Sequence, residues 1–201
     1  MKRIIHNTLI LTALTLVLGL LLGVVYNITK DPIAAAESEA RQAAYKEVFE
    51  DAASFEELED FDSDKADSFV SGKGFKDSVD DVVKACDDSG AVLGYIVTVT
   101  AKDASQGTVT FSVGIQNDGT VNGYSITDIA ETPGLGMKAA EDDFASQFEE
   151  KLVTAFKVVK QAPAADDEIE AISGATITSK AVANGVNAAK AYFEEFLMGG
   201  E

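Results

Sequence analysis

Two short segments of this 201-residue chain hold residues whose types and spacing could do chemistry. The first, Ser173-Gly174-Ala175-Thr176-Ile177-Thr178, sets hydroxyl side chains around a glycine and an alanine. A threonine hydroxyl can carry a phosphoryl link, and the small Gly-Ala approach lets a modifying enzyme and a large planar group reach the backbone. Thr176 also lies just before a stretch that reads as helix. Unpaired N–H groups of its first turn, near Thr178 to Lys180, would stabilise the remaining negative charge of a phosphodiester. The second segment is Glu131-Thr132-Pro133-Gly134-Leu135-Gly136. Its two glycines let backbone approach a flat ring, and Thr132 offers a hydroxyl to the ring's polar edge. Taken alone, each segment is also an ordinary turn: the first a turn with a helix cap, the second a tight turn with Gly134 or Gly136 at positive φ.

The remaining composition narrows the chemistry. The formal charge is -18, from 34 acidic and 16 basic residues. Such a field repels phosphate backbones, which excludes nucleic acid as a partner. Cys86 is the single cysteine and His6 the single histidine, so neither an internal disulfide nor a Cys- or His-rich metal centre can form. Cys86 is expected as a small buried hydrophobe on a strand, and His6 at the start of the apolar run. Neither a Gly-rich dinucleotide fingerprint nor a catalytic triad is present, so no residue is assigned a catalytic role. The acidic residues between Glu50 and Asp67 lack the D-x-D-x-D-G order and distal Glu of a calcium loop.

The elements that must position the two segments follow from periodicity. Val82 to Cys86, Ala91 to Ala101, Gly107 to Gln116 and Thr120 to Ile129 are rich in Val, Ile, Thr, Tyr and Phe. Asp88-Ser89-Gly90, Asp103 to Gln106 and Asn117-Asp118-Gly119 separate them. Turn residues between strand-like runs predict antiparallel hairpins. Val109, Phe111, Val113 and Ile115 alternate with Thr108, Thr110, Ser112 and Gly114, so one face of the sheet is buried and the other polar or covered. Ala140, Phe144, Phe148, Leu152 and Phe156 recur every four residues and predict an amphipathic helix over Met137 to Phe156. A short strand, Phe156 to Val159, and a loop, Gln161 to Glu168, lead towards a last helix, Thr178 to Leu197. Val182, Val186, Ala189, Phe193 and Leu197 form its stripe, and Thr178 or Ser179 its cap. The fold class is α+β.

From Ile4 to Thr29 no residue carries a fixed charge, and about 20 such residues span a bilayer core. Lys2 and Arg3 precede the run, which predicts a cytoplasmic N-terminus and an extracytoplasmic remainder. A cleaved signal peptide is the rival reading, with Ala34, Ala35 and Ala36 near a processing site. The run exceeds the usual signal core, and Lys30, Asp31 and Pro32 intervene, which favours a retained anchor. Pro32 is expected to open a helix over Ala34 to Phe49. An acidic connector follows, its core anchors being Phe55, Leu58 and Phe61. The expected organisation is 1–30 as cytoplasmic N-terminus and anchor, 31–67 as juxtamembrane helix and connector, and 68–201 as the folded domain.

In this order and spacing, behind one apolar helix, the two segments resemble the FMN-binding domain family. G subunits of Rnf electron-transport complexes and C subunits of sodium-pumping NADH:quinone oxidoreductases belong to it. The resemblance implies an antiparallel-sheet FMN-binding domain with flanking helices and FMN joined to Thr176 by a phosphoester that a flavin transferase makes. Ser173, Gly174, Ala175 and Thr178 on one side, and Glu131, Thr132, Gly134, Leu135 and Gly136 on the other, are the implied cofactor contacts. It further implies an electron relay in an ion-translocating ferredoxin:NAD oxidoreductase of the inner membrane, with membrane, iron-sulfur and flavin subunits as partners. The family often has an Asp where this chain has Glu170, and a His where it has Ala130. Two other functions stay open at this point: a non-redox anchored partner-binding module, and a stand-alone extracytoplasmic flavin reductase.

Overall fold

The computed structural model describes residues 1–198. Its internal contacts divide the chain into two units, Met1–Ala40 and Arg41–Glu201. The first unit lies within helix α1 (Lys2–Val48). Its apolar run is long enough and apolar enough to cross a membrane, and none of that run is buried against protein. Polar side chains along it turn inward: the Thr8 and Thr29 hydroxyls and the Asn27 amide donate to the carbonyls of Ile4, Val25 and Gly23. Such back-bonding satisfies them without water. Pro32 lies inside α1 and does not open a new helix as the sequence predicts. A proline is tolerated where the rest of the helix holds the backbone.

The second unit is built on a five-stranded sheet in the order β1-β2-β3-β4-β5, antiparallel throughout. The strands are β1 (Ser54–Glu57), β2 (Ser78–Cys86), β3 (Val92–Ala101), β4 (Val109–Gln116) and β5 (Val121–Ile129). The predicted hairpins form. The Asp87 carboxylate accepts from the amides of Ser89 and Ala91, and Gly119 turns at φ 91°. The stretch expected as an acidic connector supplies β1 and helix α2 (Ser63–Gly72), the latter capped by the Asp62 side chain on the Lys65 amide. Leu58 and Phe61 pack on the main core, while Phe55 packs on the opposite side of the sheet.

Both faces of the sheet are covered. Val109, Phe111, Val113 and Ile115 are fully buried in the main core beneath helix α4 (Thr176–Phe196), as their alternation predicts. The opposite face meets Tyr45, Val48 and Phe49. A side chain at Gly114 would lie 2.9 Å from Val48 Cβ, and one at Gly94 2.7 Å from Phe49 Cζ, so glycines make room for this second layer. Cys86 is free and buried on β2.

The helix predicted over Met137 to Phe156 is replaced by a 3-10 turn at Gly136–Ala140, a single turn α3 (Asp142–Ala145) and another 3-10 turn at Ser146–Phe148. Backbone pairing decides this. Lys151 exchanges two hydrogen bonds with Val121 at the edge of β5, which a helix could not release, and Glu150 takes φ 52° to reach it. Phe144, Phe148 and Phe156 still bury, as an aromatic cluster with Tyr124, whereas Leu152 stays exposed. Strand β6 (Lys157–Val159) pairs in parallel with an unpredicted strand β7 (Glu168–Glu170). Phe148 touches three other rings at centroid distances of 4.9 to 5.6 Å. Phe148→Ala is expected to lower stability by about 3 to 5 kcal/mol, read as a shift of the urea unfolding midpoint.

Candidate functional site

The site begins where α4 begins. Gly174, at φ 80°, turns the chain after β7, and Ala175 stands as N-cap residue without a side-chain cap. Ser179, one turn in, staples the entry. Its hydroxyl donates to the Ala175 carbonyl and accepts from the Ile172 amide, both at 3.0 Å. The Ser179 amide closes the first helical bond, on Ala175 O at 2.9 Å. The amides of Thr176, Ile177 and Thr178 therefore have no backbone partner among the described residues, as expected of a first turn. Unpaired N–H groups and the helix dipole favour negative charge at this point.

The three hydroxyls of the motif have different fates. Thr176 is half-buried at the first helical position, and Ser173 is exposed. Thr178 is fully buried, and its hydroxyl finds no hydrogen-bond partner among the described residues. The sequence places Thr178 or Ser179 as the cap of a helix starting at Thr178. The helix instead starts at Thr176, neither residue caps it, and Ser179 bonds backward to the loop. The stripe Val182, Val186, Ala189 and Phe193 is buried as expected, and its phase turns Thr178 inward.

The segment 131–136 folds as a turn, with the amides of Leu135 and Met137 donating to Thr132 O at 3.1 and 3.3 Å. Thr132, Pro133, Gly134 and Leu135 are exposed. Gly134 has φ 75° and nothing within 4 Å of where a Cβ would stand, so its backbone is open to a ligand. Glu131 points the other way. It is buried, and its Oε1 accepts from the amides of Ser105 at 2.6 Å and Gln106 at 3.3 Å. Gly136 is small for that reason, since a Cβ there would lie 2.8 Å from the Glu131 carboxyl carbon. Expected as a cofactor contact, Glu131 is thus placed where it braces the turn from within.

The fold brings the two segments together. A Cβ on Gly174 would stand 3.1 Å from Leu135 Cδ2. Leu135 is 43% exposed and Ile177 59%, so apolar side chains flank Thr176 without being spent on the core. Beside Ser173 runs an open groove of about 210 Å³, with Ile172 and Phe144 in its wall and Lys138, Glu141 and Asp143 at its rim. Against the carboxylates of Glu141, Asp143 and Glu170, this groove has one positive charge, Lys138. Periodicity did not flag it, because the 3-10 turn at Gly136–Ala140 that carries it is irregular.

Comparison with known proteins identifies the family of the chain. A family model described as FMN-binding domain matches residues 105–191, and one described as RnfG N-terminal region matches residues 1–48. The G subunit of the proton-translocating ferredoxin:NAD(+) oxidoreductase complex of Clostridium ljungdahlii is 31% identical over 89% of this chain and 85% of its own. The G subunit of the ion-translocating oxidoreductase complex of Methanosarcina acetivorans is 30% identical over 95% of both chains. The G subunit of the Na(+)-translocating ferredoxin:NAD(+) oxidoreductase complex of Acetobacterium woodii is 33% identical over 92% of this chain and 89% of its own. In fold, the chain is similar to the solved C subunit of the Na(+)-translocating NADH-quinone reductase of Parabacteroides distasonis. That match has TM-score 0.52 and 21% identity, covering 75% of this chain and 80% of the other.

Glu131→Ala leaves the Ser105 and Gln106 amides without their acceptor. The expected loss is about 2 kcal/mol in denaturant unfolding, the scale of charged hydrogen bonds. Faster amide hydrogen exchange at residues 105 and 106 should accompany it, and unchanged exchange there would mean that the brace is not holding.

Proposed function

Because the chain belongs to the family of G subunits of Rnf-type ion-translocating oxidoreductase complexes, we propose that it relays electrons through FMN held covalently on Thr176. The observation that carries the reading is the geometry at Thr176: a half-buried threonine at the first position of a helix, beside amides with no backbone partner and two residues after Gly174, which meets Leu135 of the 131–136 turn. FMN, when bound, supplies one- and two-electron transfer. The residues fit such a group. The amides of Thr176, Ile177 and Thr178 suit its phosphate, and Gly174 and Gly134 leave backbone uncovered. Leu135 and Ile177 offer apolar surface, and Thr132 a hydroxyl. The groove beside Ser173 is smaller than the roughly 300 to 1,000 Å³ of enclosing ligand pockets. A site this open suits a group that must exchange electrons with a neighbour, and it argues against a stand-alone reductase with a closed substrate pocket.

Thr176 is chosen over Thr178 on accessibility. A separate flavin transferase cannot reach the fully buried Thr178 in the folded chain. Ser173 is exposed yet lies before the helix, away from the free amides. The other subunits of the complex are the partners that the relatives' names support. The apolar stretch of α1 supports a membrane location. With Lys2 and Arg3 ahead of it, the folded unit stands on the extracytoplasmic side.

Protein made with an active flavin transferase should give a band that fluoresces under ultraviolet light on a denaturing gel. The added mass belongs on the tryptic peptide from Gln161 to Lys180. Thr176→Ala should abolish the band and Ser173→Ala should keep it. A fluorescent Thr176→Ala protein, or a colourless wild type, overturns the attachment, and the latter result favours a non-redox partner-binding module.

External protease on intact spheroplasts should cleave the chain after Asp31. Cleavage confined to inverted vesicles would reverse the orientation.

A further inference from the structure

Outside the candidate site, one end of the sheet gathers buried charge that nothing neutralises. Asp77 directly precedes β2 and Asp103 follows β3, and the pairing of Ser78 with Thr100 brings both carboxylates to the same end. Asp77 is 2% exposed, and neither of its oxygens makes a hydrogen bond of good geometry among the described residues, though the Lys102 amide lies near. Asp103 Oδ1 is likewise buried and unpartnered, while its Oδ2 accepts from Asn184 Nδ2 on α4 at 3.4 Å. No ion pair reaches either residue among those described.

Two ionised carboxylates in this position would meet both desolvation and mutual repulsion, and the usual escape is to bind a proton or a cation. A hard cation takes about six to eight oxygen ligands. Only three oxygens stand free here, and no third carboxylate or imidazole joins the pair among the described residues. A proton needs only one carboxyl, and Asp77 is the more deeply buried of the two. We propose that Asp77, buried and facing Asp103, binds a proton, at a site that the 102–107 loop connects to the 131–136 turn.

Burial first, and the Asp103 charge second, push the Asp77 carboxyl up to about 6. The neighbouring polar groups are engaged elsewhere or too weak to cancel this. The Lys102 amide, and after it the charge of that exposed side chain, oppose the rise, and Asp67 of α2 accepts from the Val79 amide. Asp80 of β2 accepts from the Thr100 hydroxyl, Asn184 of α4 is neutral, and Glu131 is spent on the Ser105 and Gln106 amides. The connection runs through that last clasp. Losing the proton sets a second negative charge against the first. The 102–107 loop, which carries neither helix nor strand, is the part able to yield. Its amides are tied to Glu131, and Asn184 sits on the helix that Thr176 begins.

The test uses full-length Thr176→Ala protein in detergent, free of flavin, so that it stands apart from the flavin reading. A folded-state carboxyl raised from 3.8 to about 6 gives stability that is complete below pH 4 and lost as pH rises through about 6. Asp77→Asn lacks that loss. Its melting temperature relative to the parent should climb between pH 4.5 and 7 and then level off, with the variant more stable at pH 8. A difference that is constant over this range overturns the proposal. Asp103→Asn should move the midpoint of the change to lower pH by removing the like charge, and an unmoved midpoint would overturn the part given to Asp103. Sodium, magnesium or calcium added at fixed ionic strength should leave the parent's melting temperature at pH 8 no higher than that of Asp77→Asn. A rise confined to the parent would make this a cation site and overturn the proton. In wild-type protein carrying the flavin, its midpoint potential should change slope with pH near 6 and lose that change in Asp77→Asn. Identical profiles would cut the connection to the 131–136 turn, whereas failure of the covalent flavin itself would leave the flavin-free result standing.

Discussion

Helix α4 lies so close to the sheet that a Cβ on Gly185 would stand 2.6 Å from Phe111 Cζ and 3.3 Å from Val99 Cγ1. That approach fixes the helix in rotation, and polar contacts fix it along its axis. Asn187 clasps Phe156 by accepting from its amide and donating to its carbonyl, at 2.8 and 2.9 Å. Lys190, almost wholly buried, donates to the Gly119 carbonyl and pairs with Glu194. Ser179 ties the first turn to Ile172. Thr176 is therefore held by the core of the unit, not by the loop that precedes it. A group attached there inherits the rigidity of a buried helix, the property that separates a precise site from a loose one.

What was legible in the sequence is what one period explains. Alternation along β4 located the main core, and the fourfold spacing along α4 located its buried stripe, because each of those faces meets a single partner. Periodicity failed where two demands met. The Phe144-Phe148-Phe156 spacing reported burial correctly but not the helix, since the pairing of Lys151 with Val121 draws the backbone out to β5. The acidic stretch before residue 67 conceals β1, whose pairing with β2 is a long-range contact that no local pattern announces. At the candidate site, types and order of residues singled out two segments that the fold brings together. The inward turn of Glu131 and the burial of Thr178 depend on packing angles, and a motif does not encode those.

Electrostatics act locally in this molecule. With a net charge of -18, the chain as a whole repels anions, so a phosphate at Thr176 would depend on what lies within a few ångström. Three amides at the start of a helix supply that local field. Covalent attachment as proposed removes the remaining difficulty, because affinity against the long-range field then ceases to matter. The exposed ion pairs contribute little to the fold. Lys65 with Asp62 and Lys157 with Asp167 are mostly solvated, and pairs of that kind are worth about 0 to 1 kcal/mol.

The distribution of unsatisfied groups then carries meaning. Most buried polar side chains find partners: Thr98 with Ser112, Tyr124 with the Ala139 carbonyl, and Ser179 and Lys190 as described. The buried side-chain atoms left without one among the described residues belong to Asp77, Asp103 and Thr178. Thr178 and Asn184, the partner of Asp103, both lie in the first half of α4. A domain that satisfies its polar groups elsewhere leaves the deficit at two places, the Asp77–Asp103 end of the sheet and Thr178 in the first turn of α4. Folding alone gains nothing from such an arrangement, since an apolar residue of similar size at any of these positions would remove the cost. Local inconsistency against a consistent background is where function is expected to reside. Here one such group, Thr178, lies in the first turn of the helix that begins at Thr176, and the other two lie at the end of the sheet.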